Sequence, residues 1–117
     1  MSAESSFSFE EPVLGPAWIR VAGDAARPEV EVTVSLERSW DVELTISAQD
    51  ATALADALGS ERLAVAPGTT IDGVRAVLIA EADRLAVVVV AERLSDVLTL
   101  DEHAYELAAH LRAAAAA

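Results

Sequence analysis

The sequence predicts an α+β fold: a mainly antiparallel sheet of about six strands, with two helices on one face. Two neighbouring segments alternate apolar and polar residues, which is typical of half-buried strands. The apolar period changes to 3.6 residues after Ser47 and again after Asp101, which indicates two amphipathic helices. Because both halves read as strand, strand, strand, helix, the chain is interpreted as a duplicated βββα unit. The alternative is that any strand followed by an amphipathic helix produces such matches.

The first 16 residues are expected to form a flexible acidic tail, and residues 17–117 a single α+β domain. The tail is rich in Ser and Glu, and a Gly-Pro pair ends it. Phe7 and Phe9 alternate with serines, so the segment could instead pair as an edge strand or dock on a partner. A frayed terminus is the more common outcome.

Three strands are predicted in the first half of the domain, at residues 18–21, 30–36 and 42–46. The second and third alternate strictly, with Val, Leu and Ile on one side and mainly Glu, Asp, Ser and Thr on the other. A short turn at residues 38–40 joins them. They are therefore expected to form an antiparallel hairpin with one solvated face.

Ser47 and Gly59 are predicted to start and stop the first helix. Ser47 is a good N-cap, and Asp50 at the third position resembles a capping box with Asp in place of Glu. Glycine adopts the left-handed conformation that ends many helices. The apolar face of this helix consists of Ala51, Leu54, Ala55 and Leu58.

The second half is predicted to contain strands at residues 74–80, 85–91 and 97–100, followed by a helix that Asp101 caps. The strand at 85–91 is a continuous apolar run, as expected of a central strand buried on both faces. A Pro-Gly pair in the preceding segment indicates a loop between the halves. The apolar face of the last helix consists of Ala104, Leu107, Ala108 and Leu111.

The charge of the chain excludes several classes of partner. It has 20 acidic and 8 basic residues, a formal net charge of −12. Such a domain repels phosphate groups, so direct binding to nucleic acid or to an anionic membrane surface is not expected. The chain has no cysteine, which excludes disulfides, thiolate catalysis and cysteine-based zinc sites. Residues 1–11 lack the basic and apolar segments of a signal peptide, so a cytoplasmic location is expected.

The segment LTISAQDATALADAL, with GPAW upstream, resembles small uncharacterised proteins of actinobacteria and their phages. Those proteins often carry a Leu-Thr pair, an acidic residue and a Leu-Ala-x-Ala-Leu motif. The basic residues of this chain are all arginines and its alanine content is high, which agrees with a GC-rich genome of that kind. The resemblance implies an origin, and it implies no function.

No catalytic, cofactor-binding or metal-binding residue is assigned, no cofactor is expected, and the chain is not expected to be an enzyme. His103, Glu106 and His110 share one flank of the last helix, but their spacing matches no recognised zinc motif. Paired carboxylates such as Glu10 and Glu11 are explained by a solvated acidic surface, since nothing indicates a pocket that would separate their pKa values. The Gly and Thr residues between positions 68 and 73 fit no phosphate-binding motif.

The turn between the two alternating strands supplies the candidate protein interface. Trp and Arg are the residues most enriched at interface hot spots, and this turn carries Arg38 and Trp40. Glu31 and Glu43 extend the candidate surface along the solvated face of the same hairpin. The competing interpretation places Trp40 over the edge of the core.

The sequence therefore predicts a small non-enzymatic protein-binding or assembly module that engages a protein partner or associates with itself as a homodimer. Sheet edges and the open sheet face are the routes to self-association. A phage-encoded protein that engages a host protein is one form of this hypothesis. Two alternatives stay open: a small-ligand binder or carboxylate-based enzyme that uses the concave sheet face, and an acidic mimic of nucleic acid.

Overall fold

The computed structural model describes residues 2–117, so Met1 lies outside the described residues. Over that range the chain forms eight strands and two helices. In chain order they are β1 (Ser2–Glu11), β2 (Gly15–Asp24), β3 (Glu29–Leu36), β4 (Asp41–Ser47), α1 (Ala48–Ala57), β5 (Leu63–Thr70), β6 (Arg75–Glu81), β7 (Arg84–Val89), β8 (Leu94–Thr99) and α2 (His103–Ala115).

The eight strands belong to one open antiparallel sheet, in which each strand pairs with the next one along the chain. This confirms the predicted α+β fold with an antiparallel sheet and two helices. The sheet has eight strands rather than about six, because the sequence analysis missed the first strand of each half. Both halves therefore have the same element order, four strands followed by a helix.

The first missed strand is β1, which lies where a flexible tail was expected over residues 1–16. β1 pairs with β2 along its whole length. Phe7 and Phe9 on its inner side are buried in the core. The prediction of a flexible tail is therefore wrong for the described residues of this segment. Residues two apart in a strand share a face, and burial of two phenylalanines on that face offsets the entropy lost when the segment is ordered.

The second missed strand is β5, where Pro67 and Gly68 indicated a loop. β5 pairs with β6 along most of its length, but with β4 only at Thr69 and Thr70. The rest of the side facing β4 resembles a sheet edge, where proline is tolerated. A Cβ atom on Gly68 would lie 2.6 Å from the carbonyl oxygen of Thr45, so the close approach of β4 and β5 requires glycine at this position.

The helix ends follow the prediction at α1 and depart from it at α2. Ser47 is the N-cap of α1, and its Oγ accepts a hydrogen bond of 3.0 Å from the backbone N–H of Asp50, as predicted. Gly59 follows the helix with a φ of +76°, in the left-handed region that favours glycine. The prediction that Asp101 caps α2 is wrong. Asp101 lies in a turn with a φ of +50°, and Glu102 takes the N-cap position without a capping hydrogen bond from its side chain.

Each helix packs on strands of the other half of the chain. α1, which follows β4, packs mainly on β5, whereas α2, which follows β8, packs on β1 and β2. A Cβ atom on Gly23 in β2 would lie 2.1 Å from the carbonyl oxygen of Ala114, so the missing side chain lets α2 lie directly on the strand. We call β1–β4 and β5–β8 the two half-sheets. Their inner side chains and those of both helices form one core cluster. α1 also contacts β3 and β4 of its own half, but less extensively than β5.

The sheet bends so that β8 comes close to the first half. The indole N–H of Trp40, which follows β3, donates to a carboxylate oxygen of Asp96 in β8 at 2.5 Å. At the end of β1, a carboxylate oxygen of Glu11 accepts a hydrogen bond from the backbone N–H of Thr99 at 3.0 Å. The two half-sheets thus surround the same core without a ladder between β1 and β8 in the described residues.

Candidate protein-binding surface

Trp40 is folded back against the core instead of being displayed at the tip of its turn. Its side chain is half-buried, packs against the core cluster and donates to Asp96. Arg38 beside it remains exposed and lies over Gly15 at the start of β2. The placement of Trp40 agrees with the competing interpretation, in which it covers the core edge. Partner binding by this turn stays a prediction.

Glu31 and Glu43 lie on the outer side of the sheet, away from the helices. They belong to the acidic face, which we define as the outward side chains of β1–β4. Its charged members are seven acids and one base: Glu4, Glu10, Asp24, Glu29, Glu31, Asp41, Glu43 and Arg20. Among the described side chains of this face, Trp18 is the single large apolar one. The structure therefore brings Glu31 and Glu43 together and separates them from Trp40.

Arg20 lies among the acids of this face. Its Nε donates to Glu4 at 2.7 Å, and its Nη1 lies 3.8 Å from a carboxylate oxygen of Glu31. The hydrogen bond to Glu4, together with the negative charges of Glu4, Glu31 and Glu43, raises the pKa of Arg20 against the opposing effect of burial. The same hydrogen bond lowers the pKa of Glu4. Part of the negative charge proposed for an interface is thus balanced within the chain.

Glu11 is a buried acid whose role in the structure is to bind backbone. Its carboxylate accepts hydrogen bonds from the N–H groups of Val13, Leu14 and Thr99. Burial acts to raise the pKa of Glu11, but the hydrogen bonds from Thr99, Val13 and Leu14 together outweigh burial and lower it. The side chain therefore caps the β1–β2 turn and ties it to β8. Glu10, its neighbour in sequence, is exposed on the other side of β1.

His103, Glu106 and His110 do lie together on α2, as their spacing predicted. His103 Nδ1 lies 3.0 Å from a carboxylate oxygen of Glu106, and His110 Nε2 lies 4.0 Å from the other. Both imidazole rings pack against Phe7, with ring centroids 5.8 Å and 5.5 Å away, respectively. Phe9 also contacts the ring of His103, with the ring centroids 5.3 Å apart and the planes tilted by 35°. These ring contacts join α2 to β1.

An apolar surface that was not predicted from the sequence lies on the outer side of β5–β8. We define the apolar face as the outward side chains of these four strands. The strand register aligns them in rows. One row is Val65, Ile79, Ala86 and Val97; the next is Pro67, Val77, Val88 and Ser95; a third, at one end, is Leu63, Glu81, Arg84 and Thr99.

Several members of the apolar face are strongly exposed. Leu63 exposes 62% of its surface, and Val65 and Val97 each expose 52%. Val77 and Ile79 between them are half-buried by their neighbours in the sheet. A monomeric protein seldom leaves a large contiguous apolar patch in water, and such patches commonly mark interaction sites. This face is the best-supported candidate for a binding surface in the described chain.

The prediction that the strand at 85–91 is buried on both faces is wrong for its outer side. The inner residues Leu85, Val87 and Val89 are buried, whereas Val88 on the outer side is half-buried and Val90 beyond the strand exposes 65%. The reason is that both described helices lie on the inner side. A strand that is apolar on both sides requires two covering layers, and the described chain supplies one. The apolar run was therefore the sequence signal for this face.

No protein family model, curated protein or solved structure matches the chain. The resemblance to proteins of actinobacteria and their phages stays a prediction. Within residues 2–117, no helix is both long and apolar enough to cross a membrane. The same part of the chain contains no group of three or more His, Cys, Asp or Glu side chains placed to hold a metal ion.

Proposed function

We propose that this chain is a small, non-enzymatic protein-binding or assembly module whose binding surface is the apolar face. The observation that carries the proposal is the outward row of Val65, Ile79, Ala86 and Val97 across the four strands β5–β8. Val65 and Val97 in this row are exposed, and the two residues between them are half-buried. Each Å² of apolar surface removed from water stabilises a complex by about 25 cal/mol before the costs of association. This face has more apolar surface to bury than the acidic face.

The apolar face is also preorganised for binding. Its side chains stand on strands whose inner residues, such as Leu78 and Val87, are fully buried. A partner therefore meets a surface that is ordered before binding, and little backbone entropy is lost in the complex. The proposal keeps the predicted class of function but moves the surface from Arg38 and Trp40 to the other half of the sheet.

The small-ligand and enzyme alternatives have weaker support. A groove of about 240 Å³ lies beside Glu4, Glu29, Glu31 and Arg27. It lies at one end of β1, β2 and β3, next to the turn between β2 and β3. Glu4 and Glu29 are exposed there, so water screens their carboxylates. Acid–base catalysis by paired carboxylates needs a desolvated site that separates their pKa values. The acids around this groove therefore fit a solvated surface better than a catalytic centre.

Site-specific photo-crosslinking tests the proposal. A photoreactive benzoyl-phenylalanine replaces Val65 on the apolar face, and in a matched chain it replaces Thr33 on the acidic face. Both positions are outward, in the middle of a strand and next to a buried neighbour. We expect covalent adducts of defined mass from position 65, in the purified chain or in cells that express it, and few from position 33.

Adducts at position 65 that disappear when Val97→Glu is added would tie the contact to the apolar face, because a charge buried against a partner without a counter-charge destabilises the complex strongly. Equal crosslinking from the two positions, or none from position 65 under either condition, contradicts the proposal. Circular dichroism of each variant checks that the fold is retained.

A further inference from the structure

We infer that the occupant of the apolar face is a second copy of this chain, packed face to face across a two-fold axis that runs along the strands between β6 and β7. The inference rests on the proposed function and deepens it by naming the partner. Self-complementarity of the face supports it, since the same patch must match itself in a symmetric dimer.

The register of the face makes it self-complementary in shape. The axis places β5 over the partner's β8 and β6 over the partner's β7. Each row of side chains then lies opposite the same row of the partner, in reverse order. Ile79 lies opposite the partner's Ala86, so a large side chain faces a small one. Val77 lies opposite the partner's Val88. Alternation of large and small side chains is how two sheet faces interdigitate in a sandwich.

The charges of the face are also self-complementary. Glu81 and Arg84 stand side by side in the end row, on the two strands that flank the axis. The axis sets Glu81 opposite the partner's Arg84 and Arg84 opposite the partner's Glu81, which gives two ion pairs per dimer. Within residues 2–117 neither side chain takes part in an ion pair of its own chain. Both are therefore available to a partner.

The overall charge of −12 does not oppose this contact at close range. The charged members of the apolar face are Arg75, Glu81 and Arg84, whereas seven acids lie on the acidic face. Because the sheet bends, the acidic face points in a different direction from the contact. Repulsion over distances beyond about 8 Å is largely screened at physiological ionic strength.

The size of the face sets the strength of the dimer. With strands about 4.8 Å apart and a repeat of roughly 6.8 Å per outward residue, its fourteen outward positions cover roughly 450 Å² per copy. Two copies would bury roughly 900 Å², which is at the low end of specific interfaces. We therefore expect a reversible dimer with a dissociation constant in the micromolar range or weaker.

Sedimentation velocity on charge-swapped chains tests the inference. Glu81→Arg and Arg84→Glu each place like charges opposite each other in a homodimer, so each variant alone should dimerise at least about tenfold more weakly than the wild type. An equimolar mixture of the two should recover dimers, because each charge then meets its opposite across the axis. The crowding of like charges within each chain is unchanged in the mixture, so the recovery reports the contact between chains alone.

A wild-type chain that stays monomeric up to about 1 mM overturns the inference, since that limits binding to about 4 kcal/mol. A dimer that the swaps do not change also overturns it, because the contact then lies elsewhere. If the chain is monomeric but position 65 crosslinks to a different protein, the inference fails and the proposed function stands. If neither contact is found, both fail.

Discussion

The two half-sheets have the same element order and similar inner faces, but their outer faces are opposites. The inner faces of both consist mainly of buried Val, Leu, Ile and Ala, with Phe7 and Phe9 on β1, and both pack on the helices. On the outside, β1–β4 present seven acids and one arginine, whereas β5–β8 present rows of exposed or half-buried Val, Leu and Ile. The inner faces, together with the helices, supply the buried core cluster. This difference between the outer faces is the basis of the proposal that β5–β8 contact a partner.

The acidic face also limits where the chain can associate. Two acidic faces brought together would place many like charges opposite each other, which is destabilising. The free edge of β1 carries Glu4 and Glu10 on the same outer side. Charged edges discourage strand addition. Association through β5–β8 is the route that these charges leave open.

The largest effect on stability is expected in β6, whose inner side faces the core and whose outer side belongs to the apolar face. Leu78 and Val77 are neighbours in β6 on opposite faces, the first fully buried and the second half-buried. Leu78→Ala should lower the free energy of unfolding by about 2–5 kcal/mol. Val77→Thr should lower it by less than about 1 kcal/mol. Urea denaturation of dilute protein measures both, and equal losses would mean that the apolar face belongs to the core.

A smaller loss of stability is expected on substitution of Glu11, which joins the first half of the sheet to β8. Glu11→Ala leaves the N–H groups of Val13, Leu14 and Thr99 without their acceptor and should cost about 1–3 kcal/mol. Because the pKa of Glu11 is lowered from 4.5, its ionised form stabilises the fold above that pH, and this contribution is lost as the pH falls through the folded value.

Free energies of unfolding measured between pH 3 and pH 7 check the direction of this pH dependence. The wild type should lose more stability on acidification than Glu11→Ala, whereas Glu10→Ala, at an exposed neighbour, serves as the control and should follow the wild type. An unchanged pH dependence in Glu11→Ala would contradict the assigned hydrogen bonds. The pH range is chosen to span the ordinary glutamate pKa.

The smallest effect is expected at Arg20, because solvent weakens ion pairs on an open sheet face. Arg20→Met should lower the melting temperature only slightly and raise the pKa of Glu4 toward its ordinary value, since the hydrogen bond and charge that lower it are removed. NMR titration of the Glu4 side chain measures this change. Arg20→Lys, which keeps the charge, should retain part of the shift. No change in the pKa of Glu4 in Arg20→Met would contradict the pairing.

Local signals in the sequence were sufficient for much of the fold. Strict alternation located β3 and β4, and Ser47 with Gly59 located the ends of α1. β1 and β5 were missed because their strand character depends on neighbours distant in sequence. Phe7 is buried by α2, which lies about a hundred residues further along the chain. Pro67 is tolerated because most of one side of β5 has no paired strand.

The candidate surface could likewise be predicted only in part from local signals in the sequence. Exposed Trp and Arg in a turn favoured Arg38 and Trp40, but the bend of the sheet brings Asp96 to the indole and turns the tryptophan inward. The composition of β6 and β7 already showed strands that are apolar on both sides. Which of those sides a helix covers depends on how the chain crosses over, and this cannot be deduced from periodicity.

Residue type and period alone determined that this chain forms an antiparallel α+β structure with two amphipathic helices and a strong excess of negative charge. Those properties follow from the backbone geometry of strands and helices, which sets side-chain direction locally. Tertiary structure alone decided that both described helices lie on the inner side of the sheet, and hence that β5–β8 keep an apolar outer face that no helix covers. That outcome depends on contacts between distant segments, where packing of the whole core selects one arrangement among several with the same local pattern.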